Sequence, residues 1–328
     1  MPAPPVRKKR RWWLAALKLA VVAAVFAAVQ GTVRDAIDNL ADYQWQMHIG
    51  WLALAGLLYV AAWVPMAWFW QQVLAALGQA TDSLTALYAY LVGHLGKYVP
   101  GKALVLVIRI GLLPKRVISI RLGVASVLLE TLTLMSVGAV LAAVLSLFVM
   151  RHDLRLAVAA SITAVIVGLP TIPFITRRLL KRLASRSVAS GELGEVSPSD
   201  QSVIEHQITA RLLADGWMAS LLCWIVLGLS MWATLRGIGV ETVHPLAHLP
   251  VLVAAVAIAV VAGFASMLPG GLGVRDLLLI QLLSPVCGEP NALIAAALWR
   301  LVSVLSELVI CVILEIAKRR RNKLRTED

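Results

Sequence analysis

The sequence has little charge, and it lacks the local signatures of the common soluble enzymes. Only 15% of its 328 residues are charged, whereas soluble domains contain about a quarter. It has no GxxxxGK[ST] loop for a nucleoside triphosphate, no HExxH helix for zinc and no GxSxG elbow for a serine nucleophile. We therefore predict that the protein is not an enzyme and needs no cofactor.

Cysteine is also scarce, which argues against a disulfide framework or a metal site. The three cysteines are Cys223, Cys287 and Cys311, and none forms a CxxC pair with another. Each lies in or near an apolar run. We interpret them as small packing residues, because free cysteine behaves as a small hydrophobe.

Long apolar runs are abundant. Hydrophobic residues make up 60% of the chain, and the mean hydropathy is +0.83. A helix needs about 20 apolar residues to cross a bilayer, and several runs reach that length. The sequence predicts an all-α polytopic membrane protein with six full spans, at about 12–29, 49–70, 122–150, 154–175, 212–235 and 291–317.

The net charge of +12 is concentrated at the ends of apolar runs rather than spread over a nucleic-acid-binding face. Basic clusters occupy residues 7–11, 177–182 and 318–321. This is the positive-inside pattern of the cytoplasmic (inner) membrane. It predicts that both termini are cytoplasmic, with a cytoplasmic loop at 176–211 and a basic tail at 318–328. It also argues against a nucleic-acid partner.

Two further apolar segments are interrupted by glycine and proline. The first, Leu84–Leu113, is divided at Gly96–Lys102, and the second, Leu249–Pro285, is divided at Pro269–Asp276. We predict a broken, re-entrant helical hairpin in each, with a pair of short tilted spans as the alternative.

The two broken segments occupy corresponding places in the chain. Each follows one full span and precedes another, giving units of about 49–150 and 212–317 in predicted opposite orientations. Paired interruptions of this kind are typical of inverted-repeat transporters, in which they mark a site near the midplane. We treat residues 1–328 as one integral-membrane domain.

The breaks supply the candidate substrate-binding residues. Broken helices expose helix N-termini, which favour anions, and charge at membrane depth usually has a partner or a function. A cationic pocket here suits an anionic lipid headgroup. The candidates are Lys97, Tyr98, Pro100, Gly101, Lys102, Arg109, Pro269, Gly270, Gly271, Gly273, Arg275 and Asp276.

Glu130 and Arg300 lie in the spans that follow the two breaks, about 30 residues after Pro100 and Pro269 respectively. We predict that they form a midplane charge pair joining the two units. Glu307 is a candidate coupling acid, with helix packing as the alternative.

Structural roles remain open for the charges at the breaks as well. Lys97 and Lys102 are long enough to reach the interface and anchor the first hairpin. Arg275 and Asp276 are adjacent and could form an ion pair with each other.

Both break motifs resemble those of the flippase-like family, also known as the lysylphosphatidylglycerol synthase transmembrane region. The resemblance rests on Leu95–Lys102 followed by Arg109, on Leu268–Asp276, on Glu130 and on Leu298–Leu301. It implies the movement of lipids such as aminoacylated phosphatidylglycerol or hopanoid-type lipids between leaflets. The soluble aminoacyl-transferase domain of the full synthase is not seen, so a stand-alone membrane region is expected.

The leading hypothesis is therefore a flippase or transporter for an anionic or modified phospholipid. One alternative is a secondary transporter of a small soluble anion. A membrane enzyme acting on lipid or polyprenyl phosphate and a scaffold acting through the 176–211 loop are further alternatives. Membrane lipids are the expected partners, and homo-oligomer formation is left open.

Overall fold

The computed structural model describes residues 47–98, 103–114, 119–149, 178, 207–266 and 268–327. Within these residues there are eight α-helices, two 3₁₀ turns and no strands, which confirms the predicted all-α fold. In chain order they are α1 (Ile49–Ala76), α2 (Ser83–His94), the first 3₁₀ turn (Leu95–Tyr98), α3 (Ala103–Gly111), α4 (Ile120–Val149), α5 (Ala210–Gly237), α6 (Pro245–Ala265), the second 3₁₀ turn (Pro269–Gly271), α7 (Val274–Cys287) and α8 (Glu289–Glu327).

Six stretches of the described chain are long and apolar enough to cross a membrane, so the protein is a multi-pass membrane protein. They are Ile49–Ala76, Ile120–Leu145, Ala210–Gly237, Pro245–Ala265, Pro269–Cys287 and Glu289–Arg320. Four of the predicted full spans are confirmed among them. The predicted spans 12–29 and 154–175 lie outside the described residues, as does most of the 176–211 loop.

The two broken segments differ in length. Helices α2 and α3 have 12 and 9 residues, so neither can cross a bilayer alone. The second segment has longer arms, since α6 has 21 residues and Pro269–Cys287 has 19. Its lengths fit a pair of short spans, the alternative to a re-entrant hairpin. The inverted repeat and the division into two units stay predictions.

The helices pack around a shared centre. Helix α5 packs along α1, α6 packs against α4 and α5, and α8 contacts α1 and α7. A buried polar chain holds three of them together. Trp299 Nε1 donates to Ser230 Oγ at 3.0 Å, and the Ser230 hydroxyl donates to the carbonyl of Ala55 at 2.8 Å. This chain fixes α8 against α5 and α1, close to the broken segments.

The outer surface is apolar, as expected for helices in contact with lipid. Large hydrophobic side chains are exposed along α8, for example Leu305, Val309 and Val312. A soluble protein of this size would rarely leave so large a continuous apolar surface open to water.

Glycine at each break permits close backbone approach. A Cβ atom on Gly96 would lie 2.7 Å from the backbone nitrogen of Val105, so a side chain there would push α3 away from the first 3₁₀ turn. Gly271 has a φ of 69°, and a Cβ atom on it would lie 3.0 Å from Gly263 Cα. The second 3₁₀ turn is thus pressed against the end of α6, where only glycine fits easily.

Candidate functional site

The two breaks meet inside the protein. The first 3₁₀ turn contacts the second, and a Cβ atom on Gly270 would lie 3.2 Å from the ring of Tyr98. Segments that are about 170 residues apart in sequence (Tyr98 and Gly270) therefore form one centre. The sequence alone did not show which residues of the two breaks touch.

A cavity of about 440 Å³ lies beside this meeting point. Most of its wall is apolar, from Leu106, Leu134, Val260 and Phe264 among others. Its charged lining comes from Lys97, Arg109, Glu130 and Arg275. A mostly apolar cavity with a few convergent polar groups is the usual form of a ligand site.

The first buried ion pair joins α3 to α4. Arg109 Nη1 donates to Glu130 Oε2 at 2.7 Å, and the side chains are only 3% and 1% exposed. Tyr90 on α2 donates to the other carboxylate oxygen at 2.7 Å. The Arg109 guanidinium also lies 3.8 Å from the centroid of the Tyr90 ring. Both helices of the first broken segment, α2 and α3, are thereby linked to the following span, α4.

The second buried ion pair joins α7 to α8. Arg300 donates to Asp276 through Nε at 2.9 Å and through Nη2 at 2.6 Å, a bidentate arrangement. Asp276 Oδ2 also accepts from the backbone N–H of Gly273 at 3.2 Å. One carboxylate therefore both caps the first turn of α7 and neutralises a buried arginine.

These two pairs occupy corresponding places with their charges exchanged. In each case a residue of the short helix after the break pairs with a residue of the next long helix, 21 or 24 positions later. The earlier residue is the cation in Arg109–Glu130 and the anion in Asp276–Arg300. Glu130 and Arg300, the later residues of the two pairs, therefore carry opposite charges.

The predicted pairing of these charges was nevertheless wrong. Glu130 binds Arg109 instead of Arg300, and Arg300 binds Asp276. The suggested ion pair between Arg275 and Asp276 is not formed either, because Asp276 pairs with Arg300. A buried charge pairs with whatever opposite charge its helix packs against, and α4 packs against α3 while α8 packs against α7.

A third ion pair links the first broken segment to α8. Lys97 Nζ donates to Glu307 Oε1, and the same oxygen accepts a hydrogen bond of 2.5 Å from the Tyr59 hydroxyl. Lys97 Nζ lies within 6 Å of the Tyr59, Trp63 and Tyr98 ring centroids, at 5.7, 5.9 and 5.1 Å. Lys97 is thus held inside the protein instead of reaching for the membrane interface.

Arg275 differs from the other buried cations of the described chain because no carboxylate pairs with it. Its guanidinium lies 4.4 Å from the ring centroid of Trp299, and the residue is 9% exposed. Its Nε and Nη2 atoms are buried and have no hydrogen-bond partner among the residues that the structure describes. Both nitrogens belong to a residue that lines the cavity.

Sequence reasoning found most of the centre but missed several of its members. Lys97, Tyr98, Arg109, Gly270, Gly271 and Arg275 are brought together, with Pro269, Gly273 and Asp276 completing the second break. Pro100, Gly101 and Lys102 lie outside the described residues. Tyr59 and Tyr90 were missed, since a lone tyrosine in an apolar run has no distinguishing pattern.

Within the described residues, no group of three His, Cys, Asp or Glu side chains could hold a metal ion.

The fold and the site together define a polytopic helical membrane protein with a charged, mostly apolar-walled cavity at paired helix breaks. The model of the lysylphosphatidylglycerol synthase TM region family matches residues 13–311, and the chain belongs to this family. This membership indicates a function related to membrane lipids. A search of curated proteins found no significant match.

Proposed function

We propose that this protein moves an anionic or modified phospholipid between the leaflets of the cytoplasmic membrane, with the headgroup in the cavity between the two breaks. The observation that carries the proposal is the cavity itself. It combines an apolar wall with cations from both broken segments, namely Lys97, Arg109 and Arg275. A lipid needs both kinds of surface, because its headgroup is charged and its chains are not.

The cavity edge favours a lipid over a small soluble anion. Phe264 and Leu268 line the cavity, and they are also 37% and 45% exposed at the surface. An apolar wall that continues to the apolar exterior lets acyl chains stay in the membrane while the headgroup enters. A soluble anion has no acyl chains to contact this apolar wall, and it would lose its hydration on entering the cavity.

The ion pairs suggest how the protein rearranges. Arg109–Glu130 and Asp276–Arg300 each join neighbouring helices of one predicted unit, whereas Lys97–Glu307 joins the two units. Relative movement of the units, as in alternating access, would break Lys97–Glu307 and leave the other two pairs intact. The protein acts without chemical conversion of its cargo and with both termini in the cytoplasm.

Vesicle reconstitution tests this function. Purified protein is placed in liposomes that contain trace phospholipid with a fluorescent acyl chain, and an impermeant reductant then bleaches the outer leaflet. In protein-free vesicles bleaching stops when the outer leaflet is exhausted. With protein present, we expect the bleached fraction to rise well beyond that level because inner-leaflet lipid is delivered outward.

A matched pair of variants links movement to the cavity. Val260→Phe enlarges a side chain that lines the cavity, whereas Val312→Phe makes the same change on the exposed face of α8. We expect Val260→Phe to slow lipid movement strongly and Val312→Phe to leave it unchanged. Equal rates in both variants would place the path elsewhere, and wild-type vesicles that behave like empty ones would refute lipid movement.

A further inference from the structure

Among the residues that the structure describes, the charges of the centre leave one cation without a neutralising partner. Three buried arginines, Arg109, Arg275 and Arg300, and the partly exposed Lys97 lie among three buried carboxylates, Glu130, Asp276 and Glu307. The carboxylates are all used in the three ion pairs described above. Transfer of a proton within a pair would not change this balance. Within the described part of the centre, the surplus is therefore one positive charge, and it resides on Arg275.

The unpaired edge of Arg275 has the geometry for two oxygens of one anion. In an arginine, Nε–H and the Nη2–H nearest to it point in the same direction and bind carboxylate or phosphate bidentately. Arg300 uses this edge for both oxygens of Asp276. The same two atoms of Arg275 are buried without a partner in the described chain. The neighbouring arginine thus shows, within the same centre, what kind of group fills such an edge.

Arg275 is also held in place without help from a carboxylate. Its guanidinium rests on the Trp299 ring, and Trp299 is itself fixed by its hydrogen bond to Ser230. Its Cβ is packed beside Gly263, since a Cβ atom on that glycine would lie 3.2 Å away. The arginine therefore keeps its orientation when no anion is bound, which lowers the ordering cost of binding.

Two of the three remaining unpartnered polar atoms on the described cavity wall are donors, which cannot bind a protonated amine. The three atoms are Trp63 Nε1, His94 Nδ1 and Arg109 Nε. Trp63 Nε1 and Arg109 Nε are N–H donors only. A headgroup hydroxyl can accept from such donors, whereas an ammonium group cannot. Glu130, the one carboxylate among the described residues of the wall, already accepts from Arg109 and Tyr90.

We propose that the cavity selects a lipid headgroup with a single phosphodiester negative charge and neutral hydroxyl groups, and that the phosphate binds the Nε/Nη2 edge of Arg275. This inference rests on the proposed lipid-transport function and specifies the charge of its cargo. A zwitterionic or aminoacylated headgroup would place its ammonium group beside N–H donors and near the positive charge of Arg275. A phosphomonoester dianion would bring one negative charge too many into a buried site.

Binding to the purified full chain in non-ionic detergent tests the selection directly. The probes are short-chain phosphatidylglycerol, phosphatidylethanolamine, lysyl-phosphatidylglycerol and phosphatidic acid, and dissociation constants are measured by titration. We expect phosphatidylglycerol to bind at least about tenfold more tightly than the other three. All four lipids offer a phosphate to Arg275, but two of the others add an ammonium group beside hydrogen-bond donors and positive charge, and phosphatidic acid adds a second negative charge. Equal or tighter binding of the zwitterionic or lysylated lipid would overturn the inference.

The variants use a matched arginine elsewhere in the chain. Arg275→Gln removes the bidentate edge, and Arg236→Gln makes the same change at an arginine that rests on Trp51 outside the cavity. We expect the preference for phosphatidylglycerol to disappear in the first variant and to persist in the second. Arg275→Lys, which keeps the charge but not the edge, should retain a reduced preference. If Arg275→Gln does not fold, the Arg275→Lys result and the wild-type lipid ranking still decide the question.

Further outcomes of these experiments distinguish a failure of the charge selection from a failure of the transport function. If vesicles show lipid movement but phosphatidylethanolamine binds as well as phosphatidylglycerol, the charge selection is wrong and transport stands. If deacylated glycerophosphoglycerol binds as tightly as the lipid and requires Arg275, the monoanion site stands and the cargo is a soluble phosphodiester. If no probe binds, the assignment of Arg275 is refuted whatever the vesicles show.

Discussion

Lys97 on the first 3₁₀ turn and Glu307 on α8 form an ion pair across 210 residues of sequence. It is the ion pair that joins the first break to the last helix, and the Tyr59 hydroxyl shares the same carboxylate oxygen. Because the Lys97 side chain is about a quarter exposed, water shares in its solvation. The pair is thus strong enough to hold one conformation and accessible enough to break.

A double-mutant cycle on this pair should reveal coupling. Lys97→Gln and Glu307→Gln each leave one charge without its partner, whereas the double variant removes both. We expect a coupling free energy of about 0.5 to 3 kcal/mol, measured from thermal unfolding of all four proteins in one detergent. Purely additive effects would mean that the contact contributes nothing to stability.

The Asp276–Arg300 pair should be far more costly to break. Asp276→Asn leaves Arg300, which is only 6% exposed, without a counter-charge and weakens the cap of α7 at Gly273. We expect a loss of about 3 to 5 kcal/mol in unfolding free energy, measured by denaturant titration in detergent. Glu241→Gln on an exposed loop is the control and should change stability little. A loss below about 1 kcal/mol for Asp276→Asn would contradict a buried, dry pair.

Two tyrosines that donate to carboxylates allow the stability contribution of a buried hydrogen bond to be compared with that of a more exposed one. Tyr90→Phe removes the hydrogen bond to Glu130 in the buried centre, and Tyr88→Phe removes a similar bond of 2.6 Å to Glu315 near the exposed end of α8. Losing a bond to a charged acceptor costs about 1.5 to 3 kcal/mol when water cannot replace it. We expect a loss of that size for Tyr90→Phe and a smaller one for Tyr88→Phe, from the same unfolding measurements. The reverse order would mean that water reaches Glu130.

At the second 3₁₀ turn, two effects of adding a side chain can be measured separately: the steric clash with α6 and the backbone strain of a positive φ. Gly271→Ala and Gly288→Ala both place a side chain at positive φ, with φ values of 69° and 84°. Gly288 has open space around it, whereas Gly271 is pressed against Gly263. We expect both variants to lose about 1 to 3 kcal/mol from strain. Only Gly271→Ala should also slow lipid movement in vesicles, and equal movement in the two variants would show that this contact is not required.

The sequence was sufficient to locate the buried charges but not to pair them. Glu130 and Arg300 were recognised because charge inside an apolar run is costly, and the spacing from each proline suggested that they correspond. Pairing depends on which helices touch, and nothing in the chain specifies that α3 lies against α4 closely enough for Arg109 to reach Glu130. The same limit applies to Tyr59, whose role depends entirely on a residue 248 positions away.

Helix lengths show a second limit. Pro269 and the glycines after it predicted a break correctly, and the described structure has one there. The interruption looked like that at Gly96–Lys102, so both segments were expected to be re-entrant. The arms of the second are long enough to cross the membrane, because α6 begins at Pro245 and α7 continues to Cys287. A break motif marks where a helix stops but not how far its arms extend.

The single surplus charge on Arg275 has an electrical consequence. A membrane potential acts on net charge, with about 2.3 kcal/mol per elementary charge for each 100 mV. Of the four cations in the described part of the centre, three carry their own counter-ions, so voltage acts on this part, when empty, through one charge only. A bound monoanion cancels that charge. The loaded centre would then cross the field without electrical work, and voltage would influence only the return of the empty one.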